Sequence, residues 1–359
     1  MLVSFFSYII EDNLNKDHCL KHVKLSDMKE FKDFVPVARE PEFISSDVAT
    51  INLLFSGDVN GGIEKGVINM ISADSSLGKS MIALKFLKNA QKKGMDCYVI
   101  DSEIAFNLKM AEDFGVDTSP DALTVFQTSK IVEIRQIVAK LAEGRSVEER
   151  RNTFIVLDSW GTLVSPVNIS KAEEGSETKD MSLSQWKNDL ANILKSCGQT
   201  YIVVNHVMAN TGGFGDPLAV PGGKRLYYNS QNVVLGMSKA KDKNSDGEIE
   251  GAIITAMAHK GRTVKEKAKL QFRIKHSGGL DPFYGLLPDA LEGGYVIKPK
   301  AGRYSRPSVP EDKEWKETDI YCKEFWAPLF KETDLKEYLK KKYTYQNVAK
   351  EEGEDDFAF

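Results

Sequence analysis

The stretch Ser72-Ala-Asp-Ser-Ser-Leu-Gly-Lys-Ser80 decides the fold, because it is one residue away from a loop that grips nucleotide phosphates. The usual pattern is a glycine, four variable residues, and then Gly-Lys-Ser or Gly-Lys-Thr. Ala73 stands where the first glycine is expected, and the other defining positions match. An ordinary backbone conformation at Ala73 lets the loop close around a phosphate, whereas a positive φ would strain an alanine.

The residues on either side of this loop have the patterns of a strand and a helix. The apolar run 66–71 predicts a buried strand, and apolar residues recur at helical spacing from 81 to 90. In this context backbone N–H groups and a lysine hold phosphates, and a hydroxyl binds Mg²⁺. The alternative is a chance Gly-Lys-Ser at a helix start. The sequence predicts an ATP and Mg²⁺ site formed by Ala73, Asp74, Ser75, Ser76, Leu77, Gly78, Lys79 and Ser80.

Two further apolar runs, 97–100 and 153–157, end in carboxylates. Carboxyl ends of adjacent parallel strands face the same crevice, which is where open α/β sheets bind ligands. Asp158 is therefore predicted to hold Mg²⁺, and Glu103 to orient an attacking water as general base. The alternative for each is a turn residue at a strand end, and this alternative is stronger for Glu103.

Helical patterns near 130–142 and 183–195 and an apolar run at 201–204 continue an alternation of strands and helices. This alternation predicts an α/β fold with a mainly parallel sheet covered by helices on both faces. His206 follows the last of these strands, at the same edge as Asp158. It is predicted to be either a hydrogen-bonded core histidine or a sensor of the γ-phosphate.

Residues 208–225 contain five glycines and two prolines, which predicts an irregular and functional loop. A second such loop is predicted over 165–179. Basic side chains suit a phosphate backbone, and an aromatic ring suits base stacking. A disordered surface loop explains the composition equally well. The predicted contacts with single-stranded DNA are Gly212, Gly213, Phe214, Gly222, Gly223, Lys224 and Arg225.

The composition of the 359 residues, with 42% hydrophobic and 28% charged side chains, is that of an ordinary soluble protein. No run approaches the roughly 20 apolar residues of a membrane span. The four cysteines are scattered, so neither a zinc site nor a disulfide framework is expected, and a reducing cytoplasm fits best. A net charge of −4 argues against a general basic coat for nucleic acid but leaves room for a local basic groove.

Taken in order, these motifs resemble the RecA-type strand-exchange recombinases, and within them the tailed-phage branch typified by UvsX. Three further stretches carry the resemblance, namely 53–62, 260–267 and 278–287. The resemblance covers roughly residues 45–345, and motifs of this length and order seldom coincide by chance.

The resemblance implies a RecA-like P-loop ATPase core over 46–280 and a small α+β C-terminal domain over 281–345. An N-terminal oligomerisation arm over 1–45 and an acidic tail over 346–359 complete the expected organisation. Such proteins form an ATP-dependent helical filament on single-stranded DNA, pair it with homologous duplex DNA and exchange strands. Single-strand-binding and loader proteins are expected partners. A phage-encoded chain is expected to act in the host cell cytoplasm.

The resemblance also assigns roles to individual residues. Lys79, Glu103 and His206 become catalytic, with His206 in place of the family's usual polar γ-phosphate sensor. Lys260 and Arg262 match a basic pair that reaches across the subunit interface to the neighbour's nucleotide, and strand positions two apart point the same way.

Two departures from the family pattern concern the nucleotide. Met110 stands where a tyrosine commonly stacks on adenine, and Ala73 replaces a glycine, while Asn107 is expected to bond the adenine edge. Two alternative functions remain open at this point. One is a ring helicase or clock-type ATPase of the same superfamily, and the other is a catalytically idle DNA-binding or mediator protein.

Overall fold

The structure is a computed structural model that describes residues 40–173, 181–209, 218–219, 221, 223–244 and 246–345. The strands are β1 (Phe43–Ile44), β2 (Ile63–Glu64), β3 (Ile68–Ser72), β4 (Asp96–Asp101), β5 (Thr124–Gln127), β6 (Thr153–Asp158), β7 (Thr200–Asn205), β8 (Met208–Ala209), β9 (Leu218–Ala219), β10 (Ser230–Lys243), β11 (Ile249–Gly261), β12 (Lys269–Lys275), β13 (Gly279–Leu280), β14 (Ile297–Lys300), β15 (Arg303–Ser305) and β16 (Trp315–Lys316). The helices are α1 (Ala49–Ser56), α2 (Lys79–Lys92), α3 (Leu108–Asp113), α4 (Ile131–Ala142), α5 (Val147–Arg151), α6 (Pro166–Glu173), α7 (Leu183–Cys197), α8 (Lys224–Asn229), α9 (Leu287–Glu292), α10 (Lys323–Glu332) and α11 (Leu335–Tyr343).

One large sheet has the strand order β13-β12-β11-β10-β3-β7-β6-β4-β5. The strands from β10 to β5 pair in parallel, and β10 to β13 pair antiparallel. The prediction of a mainly parallel sheet is confirmed. The antiparallel extension was not predicted, because the long strands β10 and β11 follow a segment whose glycines dominate the local pattern.

Side chains of the central strands alternate between two apolar cores. Phe154 and Val156 of β6 join the core that contains α1 and α2, whereas Ile155 and Leu157 join the core that contains α4 and α7. Successive residues of a strand point to opposite faces, so a continuous apolar run is buried on both sides. Helices therefore cover both faces of the sheet, as the sequence predicts. The same geometry brings the carboxyl ends of β3, β4, β6 and β7 to one edge, called here the nucleotide edge.

Both predicted loops contain regular structure, which corrects the sequence analysis. Helix α6 occupies most of the first loop, and its start is favoured because the Ser165 hydroxyl accepts a hydrogen bond from the backbone N–H of Asn168 at 3.1 Å. Pro166 also suits a first helical position. In the second loop β8 pairs with β9, and α8 begins directly after Gly223, whose φ is 99°. These short elements were not predicted, because the glycine content of the segment indicates an irregular loop.

The region from α9 onwards combines helices with the three-stranded antiparallel sheet β14-β15-β16. This agrees with the expected α+β character of the C-terminal part. The boundaries at 45, 280 and 345 stay predictions. Most of the expected N-terminal arm and the whole acidic tail lie outside the described residues. Within the described chain, no helix is long and apolar enough to cross a membrane.

Candidate active site

The loop between β3 and α2 has the geometry of a phosphate-binding loop. Gly78 has a φ of 80° and precedes the first turn of α2, and Ser76 has a φ of 62°. Lys79 is buried, and its ammonium group donates to the backbone carbonyls of Ala73 and Asp74, both at 2.9 Å. Burial lowers the pKa of Lys79, although neighbouring carboxylates act in the opposite direction. The ammonium group thus occupies the loop where phosphates are expected to bind.

Ala73 fits the loop without backbone strain. Its φ lies outside the left-handed region, so the glycine that the usual pattern has here is not needed for conformation. Its methyl group is buried and faces Gly236 of β10, where an added Cβ would lie only 2.7 Å from the Cβ of Ala73. The space for the extra methyl group is therefore supplied by a glycine on the neighbouring strand.

Ser80 and Asp158 come together at the nucleotide edge. The Ser80 hydroxyl donates to Oδ2 of Asp158 at 2.8 Å, and burial raises the pKa of Asp158 against the effect of this hydrogen bond. A hydroxyl and a carboxylate are the oxygen ligands that Mg²⁺ prefers, and a nearby dication would favour the ionised carboxylate. The two residues therefore fit the predicted metal site.

Glu103 is held by two side chains from neighbouring strand ends. Ser159 donates to its Oε1 at 2.7 Å, and Nε2 of His206 lies 3.1 Å from the same oxygen. The hydrogen bond from Ser159 is the largest cause that lowers the pKa of Glu103, burial opposes it, and His206 lowers the pKa further. Glu103 is therefore an ionised, oriented carboxylate. Ser159 was not predicted from the sequence, although its place directly after Asp158 was the available signal.

Asn107 and Met110 lie beside the loop and line two adjoining spaces. One is a cavity of about 150 Å³ that also contacts Ser80, Glu103 and Asp158. The Oδ1 of Asn107 accepts from the Met110 backbone N–H at 2.9 Å and caps α3, so its amide N–H₂ is the group available to a base.

The second space is an open groove of about 650 Å³, and some of its lining residues were not predicted from the sequence. Lys275 and His276 stand there, at the turn between β12 and β13. His276 lines this groove together with Met110, in a segment whose sequence carries no nucleotide motif. The groove is therefore lined by two distant parts of the chain, 81–115 and 275–279.

Among the described residues, no hydrogen bond joins Lys260 or Arg262 to the phosphate-binding loop of the same chain. The ammonium group of Lys260 donates to the carbonyls of Tyr227, Tyr228 and Ser230 at 2.7–3.0 Å, where it caps the end of α8. Arg262 is exposed and lies one residue beyond the end of β11, so the prediction of two alternating strand positions is wrong for it. The contact of this pair with the nucleotide of a neighbouring subunit stays a prediction.

Of the predicted DNA contacts, Gly223, Lys224 and Arg225 lie within the described residues. Lys224 and Arg225 are exposed in the first turn of α8, and the Arg225 backbone N–H donates to Oδ1 of Asn188 at 3.3 Å. Gly212, Gly213, Phe214 and Gly222 lie outside the described residues. Tyr228 of α8 is 59% exposed and offers a ring that the sequence analysis did not propose.

Comparisons with known proteins agree with this geometry. The family described as RecA N-terminal domain matches residues 40–281, and residues 283–339 match the family described as Bacteriophage T4, Recombination and repair protein, C-terminal domain. The chain is 26% identical over 318 residues to the "Recombination and repair protein" of Enterobacteria phage T4, covering 85% of this chain and 79% of that protein.

It is also 27% identical over 225 residues to "Protein RecA" of Campylobacter lari, covering 61% of this chain and 63% of that protein. A solved RadB recombinase structure aligns with 19% identity and a TM-score of 0.44, over 66% of this chain and 98% of that one. Since the RecA N-terminal domain spans more than half of the sequence and the phage T4 type of C-terminal domain follows it, the chain belongs to the RecA family of recombination and repair proteins.

Proposed function

We propose that the protein is an ATP-dependent recombinase that forms a helical filament on single-stranded DNA and exchanges strands with homologous duplex DNA. The observation that carries this proposal is the joining of three elements at one sheet edge. A phosphate loop, the Ser80–Asp158 pair and the Glu103–His206 pair meet there, and the segment that leads to α8 leaves from the same edge. Family membership supports ATP and Mg²⁺ as the ligands.

Lys79 would exchange its two loop carbonyls for phosphate oxygens of ATP, which are stronger acceptors for an ammonium group. Ser80 and Asp158 would hold Mg²⁺, which when bound neutralises charge on the phosphates. Glu103 is already ionised, so it can orient a water for in-line attack on the γ-phosphorus and accept its proton. The bond to the β-phosphate oxygen then breaks and releases ADP and phosphate.

His206 connects this chemistry to DNA. It contacts Glu103 and is followed within a few residues by the glycine-rich segment that ends at Lys224 and Arg225. A change in the hydrogen bonds of His206 on ATP binding would be transmitted to that segment, as occurs when a γ-phosphate orders a switch loop. Lys260 and Arg262 would act on the nucleotide of the adjacent subunit, so that ATP also stabilises the filament.

The first experiment is steady-state ATP hydrolysis by the purified protein with and without long single-stranded DNA, followed by a strand-exchange assay with homologous duplex. Hydrolysis that rises strongly with DNA, together with joint molecules, is the expected result. Lys79→Ala is the control for contaminating activity and should abolish hydrolysis. DNA binding without hydrolysis or exchange would instead support a mediator protein that retains the fold.

A further inference from the structure

A buried lysine that the proposed mechanism does not use lies on α7. Lys187 is only 6% exposed, and burial lowers the pKa of its ammonium group. No carboxylate pairs with it among the described residues. Burial of a charge without a counter-charge is costly, so the hydrogen-bond acceptors around it must offset much of that cost.

The acceptors of Lys187 belong to the backbone that follows β6. Its Nζ donates to the carbonyl of Trp160 at 3.0 Å and to that of Gly161 at 3.2 Å. Gly161 lies directly against the imidazole of His206, because an added Cβ would be 2.9 Å from the Cδ2 of that ring. His206 in turn contacts Glu103. Lys187 therefore binds the backbone of a residue that packs against the His206 ring.

The next residue of the same helix contacts the proposed DNA segment. Oδ1 of Asn188 accepts from the Arg225 backbone N–H, and an added Cβ at Gly223 would lie 2.9 Å from the same oxygen. Further along, the amide N–H₂ of Asn229 donates to the carbonyl of Ala191 at 3.0 Å. Helix α7 thus contacts both the backbone beside the catalytic pair and the start and end of α8.

We propose that Lys187 is a positioning residue which, with Asn188, makes α7 a rigid connection between the nucleotide edge and the DNA-binding face of α8. Neighbouring residues of one helix move together because backbone hydrogen bonds fix their relative positions. A shift of the Trp160–Gly161 backbone on nucleotide binding is then transmitted through α7 to Lys224 and Arg225. This coupling rests on the proposed function. It adds a second route beside the one that runs along the chain from His206 to Lys224 and Arg225.

The experiment measures the dissociation constant for fluorescent single-stranded DNA by anisotropy, with and without a slowly hydrolysed ATP analogue and Mg²⁺. The ratio of the two constants is the coupling, and it requires no hydrolysis. Lys187→Met keeps the unbranched shape of the side chain, one atom shorter, but removes its donors. It is expected to reduce the ratio by about tenfold while the constant without nucleotide changes less than about twofold.

Two variants and one control sharpen this test. Lys187→Arg can donate to both carbonyls and should restore most of the coupling. Asn188→Ala removes the acceptor of the Arg225 backbone N–H at the other end of the connection. If thermal unfolding shows that Lys187→Met is not folded, Asn188→Ala provides the test instead. Lys195→Met removes an exposed charge from the same helix and should leave the ratio unchanged.

The outcomes separate the two proposals. A smaller ratio in Lys187→Met and Asn188→Ala, restored in Lys187→Arg, supports the coupling. Equal weakening of DNA binding with and without nucleotide would assign Lys187 a purely structural role and overturn it. A nucleotide-dependent affinity in the wild type that both variants retain also overturns it, while the proposed function stands. A wild type whose DNA affinity ignores nucleotide overturns both.

Discussion

The nucleotide edge and the C-terminal region bury charged side chains in different ways. In the C-terminal region Arg306 is 5% exposed, donates to Oδ1 of Asp312 at 2.6 and 2.9 Å, and stacks on the rings of Trp315 and Phe325. At the nucleotide edge Lys79 is 9% exposed, yet its hydrogen-bond acceptors are two carbonyls of its own loop.

The difference separates charges that stabilise the fold from charges that are available to a ligand. A buried charge with a full set of partners loses them if it binds anything else, so it contributes to folding only. A buried charge held by weaker neutral acceptors gains when an anion replaces them. Lys187 resembles Lys79 in its acceptors, but those acceptors belong to another segment, which is why we assign it to positioning.

The largest expected effect comes from Glu103→Gln, at the nucleotide edge. The amide retains the shape of the side chain but cannot accept a proton, so kcat should fall by about 10²- to 10⁴-fold while ATP and DNA still bind. Because the pKa of Glu103 is lowered, this carboxylate should stay ionised through neutral pH. Activity should fall on acidification as Asp158, whose pKa burial raises, and then Glu103 become protonated. Single-turnover hydrolysis from pH 4 to 8 measures both. Glu112→Gln, on exposed α3, is the control, and equal loss of DNA binding in Glu103→Gln would contradict the assigned role.

Arg306→Met tests the other side of the comparison. It leaves the Asp312 carboxylate, whose side chain is 9% exposed, with Trp315 but without its guanidinium partner, which should lower the free energy of unfolding by up to about 3–5 kcal/mol. Hydrolysis per folded molecule should not change, because Arg306 is not part of the nucleotide edge. Urea unfolding gives the stability, and Lys300→Met, which removes an exposed pair with Glu314, should cost less than about 1 kcal/mol. A catalytic defect in folded Arg306→Met would contradict the distinction between charges that stabilise the fold and charges that are available to a ligand.

The double variant Lys224→Ala with Arg225→Ala extends the comparison to the exposed start of α8. Removal of two phosphate contacts should weaken single-stranded DNA binding and reduce the slope of log affinity against log salt by about 1.4. The affinity for ATP should stay the same. DNA titrations at several salt concentrations measure the slope. The control is the double variant Lys92→Ala with Lys93→Ala at the C-terminal end of α2, which removes the same number of positive charges. An unchanged slope would argue against α8 as a DNA contact.

Ala73→Gly should have the smallest effect. The φ of Ala73 is already ordinary, so glycine relieves no strain. It adds freedom to the unfolded chain and removes a buried methyl group, at a cost of about 1–2 kcal/mol. Thermal unfolding and the KM for ATP measure this. Gly236→Ala is the informative contrast, because its new methyl group would crowd Ala73 and cost about 1–3 kcal/mol. A large gain in ATP affinity in Ala73→Gly would show that alanine does limit the loop.

Residues with a local signature were predicted well. The apolar runs that became β3, β4, β6 and β7 are continuous because both faces of the sheet are covered, so their ends could be placed within one or two residues. Once those ends were known, parallel topology brought Lys79, Glu103, Asp158 and His206 to one edge. Contacts between distant segments were missed. Ser159 directly follows Asp158 in the sequence, but only packing brings its hydroxyl to Glu103, and only packing brings His276 to the groove that Met110 lines.

The sequence by itself determined the α/β class, the phosphate loop and the identity of the charged groups at the strand ends. These features depend on spacings of two to nine residues, over which backbone geometry dictates what lies together. Only the tertiary structure decided that Gly236 makes room for Ala73, that Ser159 and His206 share one oxygen of Glu103, and that Lys187 supports Gly161. Each of these contacts joins segments 25 or more residues apart, and the physical reason is that close packing of the folded chain, rather than local conformation, selects them.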